Sequence, residues 1–216
     1  MNVEPAASPF GARLRRWRGH RRISQRERNQ LLQAAGLPPA YPQVDLGGND
    51  LAPYRAALER LLQAHLPYPA MVLDRHWTVL MANAACTLLY GADIVGTNLV
   101  RSFLTDPAAR EAVVNWAERA WNSLDRLRHQ LDQAPFDEPL ADLVRHAETT
   151  LAGIVRPREP SSDPVLCPWF RIAHQVIKTI GIAARFDPTA EITLDELRIE
   201  LLYPFDAIAE RFFRMR

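Results

Sequence analysis

Between Pro67 and Asn83 the chain reads PYPAMVLDRHWTVLMAN, and this stretch holds its clearest strand signal. Ala70, Met71, Val72 and Leu73 form a short apolar run. Asp74, Arg75 and His76 supply polar turn residues, and Trp77, Val79 and Met81 then alternate with Thr78, Leu80 and Ala82. The pattern predicts a β-hairpin with Trp77, Val79 and Met81 on one face. A hairpin buries a face only when more strands flank it and helices or a ligand lie across it.

The remaining periodicities predict those elements. Phe10, Leu14 and Trp17 have helical spacing in FGARLRRWRGHRR, and the MNVEPAASP segment before it reads as disordered. Ser24 is a candidate N-cap for a helix from Arg26 to Gly36, with Leu31, Leu32 and Ala35 apolar. Three prolines and paired glycines make 37–49 a linker. Asn49 or Asp50 would cap a helix reaching His65, with Tyr54, Leu58, Leu61 and Leu62 on its face. A short helix AACTLLYG follows the hairpin, and a loop with Leu99, Val100, Phe103 and Leu104 leads to a cap at Thr105 or Asp106. One long helix is expected from Pro107 to Gln133, carrying Val113, Ala117, Ala120, Leu124, Leu127 and Leu131, and another from Asp137 to Gly153. Past the loop RPREPSSDP come three strand patterns: Val165–Ala173, with Pro168 favouring an edge; Ile180–Phe186; and Leu197–Tyr203. A terminal helix spans Phe205–Arg214.

Two strands, a helical insertion and three strands give an α+β fold: a PAS-like five-stranded antiparallel sheet covered by helices, preceded by a short helical N-terminal arm. The 216 residues suffice for a sizeable core, and no signal peptide or membrane-spanning apolar run is evident, so a cytoplasmic location is expected.

Charge changes this picture at one end. Residues 1–30 hold eight arginines against Glu4 and Glu27, a balance of +6, whereas the rest of the chain balances to −5. Clustered arginine is what phosphate neutralisation requires, and Arg13, Arg15, Arg16, Arg18, Arg21 and Arg22 are the candidate phosphate contacts. A solvated basic face has the same composition.

Catalytic chemistry finds little foothold. No nucleophile motif or Gly-rich phosphate loop occurs, the six histidines are dispersed, and Cys86 and Cys167 lack metal-ligand spacing, so no enzyme activity, metal or cofactor is expected. A ligand cavity is instead the candidate site. Its expected walls are Trp77, Val79 and Met81 from the hairpin, Trp116, Trp121 and Leu124 from the long helix, and Trp169, Ile172, Ile180 and Ile182 from the later strands. Asn83 and Asn115 are the polar candidates, ahead of Arg75 and His76, although Asn83 would equally serve as an N-cap for Ala84 onward. The same residues would fill an ordinary core.

The strings PYPAMVLDRHWTVLMANAA, VVNWAERA and ITLDELRIELLYPFD closely resemble the effector domain of MmyB-like transcriptional regulators, within the xenobiotic-response-element group of bacterial helix-turn-helix proteins. The resemblance implies a PAS-like domain over residues 50–216 that binds a small hydrophobic molecule, with fatty acids the implied class. FGARLRRWRGHRRISQ and ERNQLLQAAGLPPAYP resemble the two ends of the DNA-binding domain of such regulators, making 1–36 a remnant of it and 37–49 a linker. Between Gln25 and Arg26 the family would carry roughly forty more residues, the recognition helix among them. DNA contact by this chain is therefore expected to be weak and without sequence preference. The resulting expectation is an effector-sensing regulator, and the amphipathic length of the long helix adds the expectation of a homodimer. The alternative is a non-DNA-binding interaction module that pairs with or sequesters a full-length homologue.

Overall fold

The computed structural model describes residues 24–157, 167–187 and 191–215. The arginine-rich helix expected before Ser24, with its candidate phosphate contacts, lies outside the described residues, as does most of the RPREPSSDP loop.

Five strands form one antiparallel sheet: β1 (Ala70–Leu73), β2 (Val79–Ala82), β3 (Trp169–Ile172), β4 (Gln175–Ala184) and β5 (Arg198–Pro204). Their spatial order is β2-β1-β5-β4-β3, so the hairpin is joined to the C-terminal meander through the central β1–β5 pair. This is the PAS-like α+β arrangement expected from the strand order.

The sheet separates two apolar cores. On its outer face, Ala70, Val72 and Ile199 pack beneath Leu58 and Leu62 of helix α2 (Ala52–Ala64), with Leu194 and Leu197 alongside. On its inner face, Met71, Leu73, Val79, Phe170 and Ile177 meet the helical insertion. That insertion comprises α3 (Thr87–Tyr90), α4 (Leu99–Thr105), α5 (Pro107–Ala112), α6 (Trp116–Gln133) and α7 (Glu138–Leu151). A short helix α8 (Ile192–Glu196) leads into β5, and α9 (Ala207–Arg214) closes the described chain.

Before the sheet, α1 (Gln25–Ala34) starts at a capping box in which Ser24 and Glu27 satisfy each other's backbone N–H groups. Its buried Asn29 accepts from the Ala40 and Tyr41 amides and donates to the Tyr41 carbonyl. The proline-rich linker then runs along α8, where Ile192 N–H donates to Pro42 O and Val44 N–H donates to the Glu191 carboxylate. The linker is thus bound to the body along its length, because Asn29, Glu191 and Thr193 satisfy backbone groups that the prolines leave without a ladder.

Several local expectations need correction. The long helix breaks at Val113–Asn115: Val113 bridges Phe170, Val114 N–H donates to Trp169 O, and the Asn115 amide both donates to Cys167 O and accepts from Trp169 N–H. The break satisfies the outer backbone groups of edge strand β3, a tertiary demand that outweighs continuous helical periodicity. The loop around Leu99 is helical, started by Asn98, whose side chain accepts from Arg101 N–H. ITLDE, to which the pattern assigned no element, is helical and capped by Glu191. Finally, a bulge between Val72 and Leu73 shifts the hairpin register, so Val79 faces the inner core while Met81 packs with the outer one.

Candidate functional site

A cavity of about 520 Å³ lies between the inner face of the sheet and the helices α3 to α6. It exists because several of the sheet positions facing it are small or polar. Gly181 and Ala183 on β4 face it, while Ile180, Ile182 and Ala184 point to the other side. On β5 the inward positions are Arg198, Glu200 and Leu202, with Ile199 and Leu201 turned outward. Gly181 allows a close approach: its N–H donates to Cys167 Sγ at 2.9 Å, and a Cβ added there would sit 3.2 Å from that sulfur. Tyr90, Phe103 and Val113 supply much of the opposing apolar wall, and Tyr90 meets Phe170 of β3 in edge contact at 5.3 Å.

Three guanidinium groups enter this mainly apolar space. Arg119 and Arg126 come from α6 and Arg198 from β5. Burial lowers the pKa of Arg119, and burial followed by repulsion from Arg198 lowers that of Arg126 to about 10. Both remain protonated at neutral pH. Arg198 pairs with Glu200, and Arg119 donates to Asn122 Oδ1 at 3.3 Å. Arg126 instead lies 4.6 Å from the centroid of Trp77, which also faces Arg198 at 4.9 Å. Among the described residues Arg126 makes no hydrogen bond or ion pair. A half-buried cation over an aromatic face is stabilised, yet its five donors stay open to an acceptor. Burial also raises the pKa of Cys167 and holds the Tyr90 hydroxyl well above its ordinary value, so neither ionises here at neutral pH.

Trp77 sits at the end of the hairpin turn with φ +70°, an unusual backbone for a bulky residue. Three contacts hold it there: the Asp74 carboxylate accepts from the His76 and Thr78 amides, and the Trp77 indole N–H donates to Gln130 Oε1 at 2.9 Å.

Of the twelve side chains expected to meet a ligand, Trp77 lines the cavity. Val79, Trp116 and Leu124 are buried in the adjoining inner core, with Trp121 and Ile172 packed against it. Met81, Trp169, Ile180 and Ile182 belong to the other face of the sheet, Ile182 being 49% exposed. Asn83 is buried behind β1, where its amide accepts from Ala70 N–H and donates to the Leu62 and Tyr68 carbonyls; it makes no side-chain cap. Asn115 holds the β3 edge. The lining residues that composition did not flag include Gly181, Ala183, Arg119, Arg126, Arg198 and Glu200. For Arg198 and Glu200 the signal was available in β5 as polar positions alternating inside an otherwise apolar strand.

A second, wider cleft of about 980 Å³ separates α1 and the linker from the hairpin turn. Charged side chains span it: Arg26 and Arg75 both reach Glu196, Arg75 also pairs with Asp137, and the His76 ring lies 3.0 Å from Asp137. Among the described residues no cluster of three or more His, Cys, Asp or Glu side chains could hold a metal ion, and no helix is long and apolar enough to cross a membrane.

A curled antiparallel sheet closing a cavity against an inserted set of helices defines a PAS-like sensory domain. The model of the MmyB-like transcription regulator ligand binding domain matches residues 54–215, and the chain belongs to that family. The family is one of regulator domains that take a ligand, and it is not an enzyme family. No curated protein matches the chain closely enough to serve as a relative.

Proposed function

We propose that this chain is the effector-sensing part of a transcription regulator whose inner cavity takes a fatty acid, with the acyl chain along the Tyr90, Phe103 and Phe170 wall and the carboxylate on Arg126. The observation that carries this reading is the Arg126 guanidinium, held over Trp77 with no hydrogen-bond or ion-pair partner among the described residues, opening on an apolar cavity of about 520 Å³, a size suited to a small organic ligand. Burying a carboxylate without a cation would neutralise it, whereas an arginine holds it ionised and oriented. Arg198 adds positive charge beside Arg126, and Glu200 limits that charge by pairing with Arg198.

Native mass spectrometry of protein purified from cells, followed by solvent extraction, tests the proposal. An adduct of a few hundred daltons that extracts as an acyl acid is the expected result. Added dodecanoate at about a hundredfold its Kd should stabilise the fold by ~2.7 kcal/mol, a Tm rise of roughly 5–10 °C. Arg126→Leu should remove most of that rise. A bare mass together with a flat Tm across acyl acids of several lengths would overturn the reading.

A further inference from the structure

Glu196 closes a clasp between the N-terminal helix and the sensory body. Its carboxylate accepts from Arg26 of α1 twice, Nε to Oε1 and Nη2 to Oε2, each at 2.9 Å, and from Arg75 Nη1 at 2.9 Å. The Arg26 and Glu196 side chains are only 26% and 17% exposed, so this fork is shielded from water more than an ordinary surface pair.

Both halves of the clasp connect directly to the cavity. Arg75 and Trp77 belong to one turn, locked by the Asp74 carboxylate on the His76 and Thr78 amides. Trp77 itself has its ring on Arg126 and Arg198 inside the cavity. Glu196 ends α8, and Arg198 begins β5 two residues later, with buried Leu197 fixing the step between them. Arg198, which would meet a ligand, is therefore two positions from Glu196, which holds α1, and Trp77 is two positions from Arg75, which shares the Glu196 carboxylate. Trp77 also keeps a left-handed backbone, a conformation that a bulky side chain holds only while its contacts persist.

We infer that ligand occupancy of the cavity is coupled to the docking of α1 through the Trp77 turn and the shared Glu196 carboxylate. The inference rests on the reading that the cavity takes an acyl anion. Such an anion draws Arg126 and Arg198 away from the Trp77 ring; the turn carrying Arg75 relaxes and β5 shifts at Arg198, so Glu196, two residues earlier, loses the geometry of its fork on Arg26 and α1 is released. The two states are α1 clasped and α1 free, and each cavity ligand or clasp substitution biases the same equilibrium. Linkage makes the effect reciprocal: releasing α1 must strengthen ligand binding by the factor by which ligand favours release.

Hydrogen exchange across residues 25–34, combined with dodecanoate titration, tests this on the whole chain. Dodecanoate is expected to speed exchange of α1 in the wild type. Arg26→Gln, outside the cavity, should speed it without ligand and lower the dodecanoate Kd by about fivefold, the small end of usual coupling factors. Arg126→Gln should loosen the turn and speed α1 exchange in the absence of any ligand. If α1 exchange is unchanged or slowed in the Arg126→Gln protein, the coupling is overturned whether or not dodecanoate binds. It is also overturned if Arg26→Gln frees α1 and leaves the dodecanoate Kd within twofold of wild type. Loss of dodecanoate binding by the wild type, seen as a bare native mass, counts against the acyl reading instead, and the Arg126→Gln arm then decides the coupling alone.

Discussion

Cavities are made by what a side chain leaves empty, and at the residue scale Ala183 and Gly181 do this for the inner face of β4. Ala183→Phe should fill the space, since Ala183 lies opposite Glu200 in the register and faces the cavity. We expect its dodecanoate affinity to fall at least tenfold, or more than about 1.4 kcal/mol, with the fold intact. Titration calorimetry showing unchanged affinity would place the ligand elsewhere. Asn83 gives the opposite case, a polar residue whose role is structural. Its buried amide makes three backbone hydrogen bonds that join β1 to the end of α2, and Asn83→Ala would leave Ala70 N–H and two carbonyls without those partners. A loss of about 2–4 kcal/mol follows, read as a Tm lower by roughly 5–15 °C with little change in ligand affinity. Both residues show the limit of reading a site from composition. Large apolar side chains mark buried surface, and they do not mark the part of it that is hollow. Trp77 could be placed because the hairpin turn forced it to one end of the sheet. Arg126 could not, since its position on an amphipathic helix looks like any solvated cation until the tertiary fold turns that face onto Trp77.

At the element scale, the strands and the capped helices were legible because their signals are local. Ser24 with Glu27, Asp106, Asp137 and Asp206 each cap the helix they precede, using a side chain that can satisfy free N–H groups within three residues. The hairpin and the β4 and β5 alternations came through for the same reason. Features decided by a distant partner did not. The break at Val113–Asn115 answers the open edge of β3, more than fifty residues away in sequence, where Asn115 accepts from Trp169 N–H and donates to Cys167 O while Val114 N–H donates to Trp169 O. The bulge at Val72/Leu73 puts Val79 and Met81 on opposite faces, and nothing in an alternating pattern fixes where such an insertion falls. In β5 the pattern was correct and its usual interpretation was inverted. Ile199 and Leu201 face a solid core under α2, whereas Arg198 and Glu200 face inward because the inner side holds a cavity. A strand with an apolar face and a charged face commonly shows the charges to solvent, and here both faces are covered.

At the scale of the whole molecule, the charged clasp makes stability depend on pH through His76. The groups facing its ring come from several elements: Asp137 before α7, Arg75 and Asp74 from its own turn, Glu196 from α8 and Arg26 from α1. The short contact with Asp137 would by itself favour the imidazolium. Burial and then the neighbouring Arg75 lower the pKa instead, and Arg75 also competes for the Asp137 carboxylate. The His76 ring is consequently neutral at pH 7 and donates Nε2–H to Asp137. In the unfolded chain the imidazole titrates near its ordinary value of about 6.5, so below that pH the unfolded state binds more protons than the folded one. Stability should therefore be full above about pH 7 and decline as pH falls through roughly 6.5 towards the lower folded pKa. His146, whose pKa burial also lowers, contributes in the same direction from α7. The expected measurement is a Tm that decreases from pH 7.5 to 5.5, with a shallower slope in His76→Gln, where the amide keeps a donor for Asp137 and cannot take up the proton. An NMR titration placing the His76 midpoint above 6.5 would reverse the sign and show that Asp137, rather than burial and Arg75, governs the charge of the clasp.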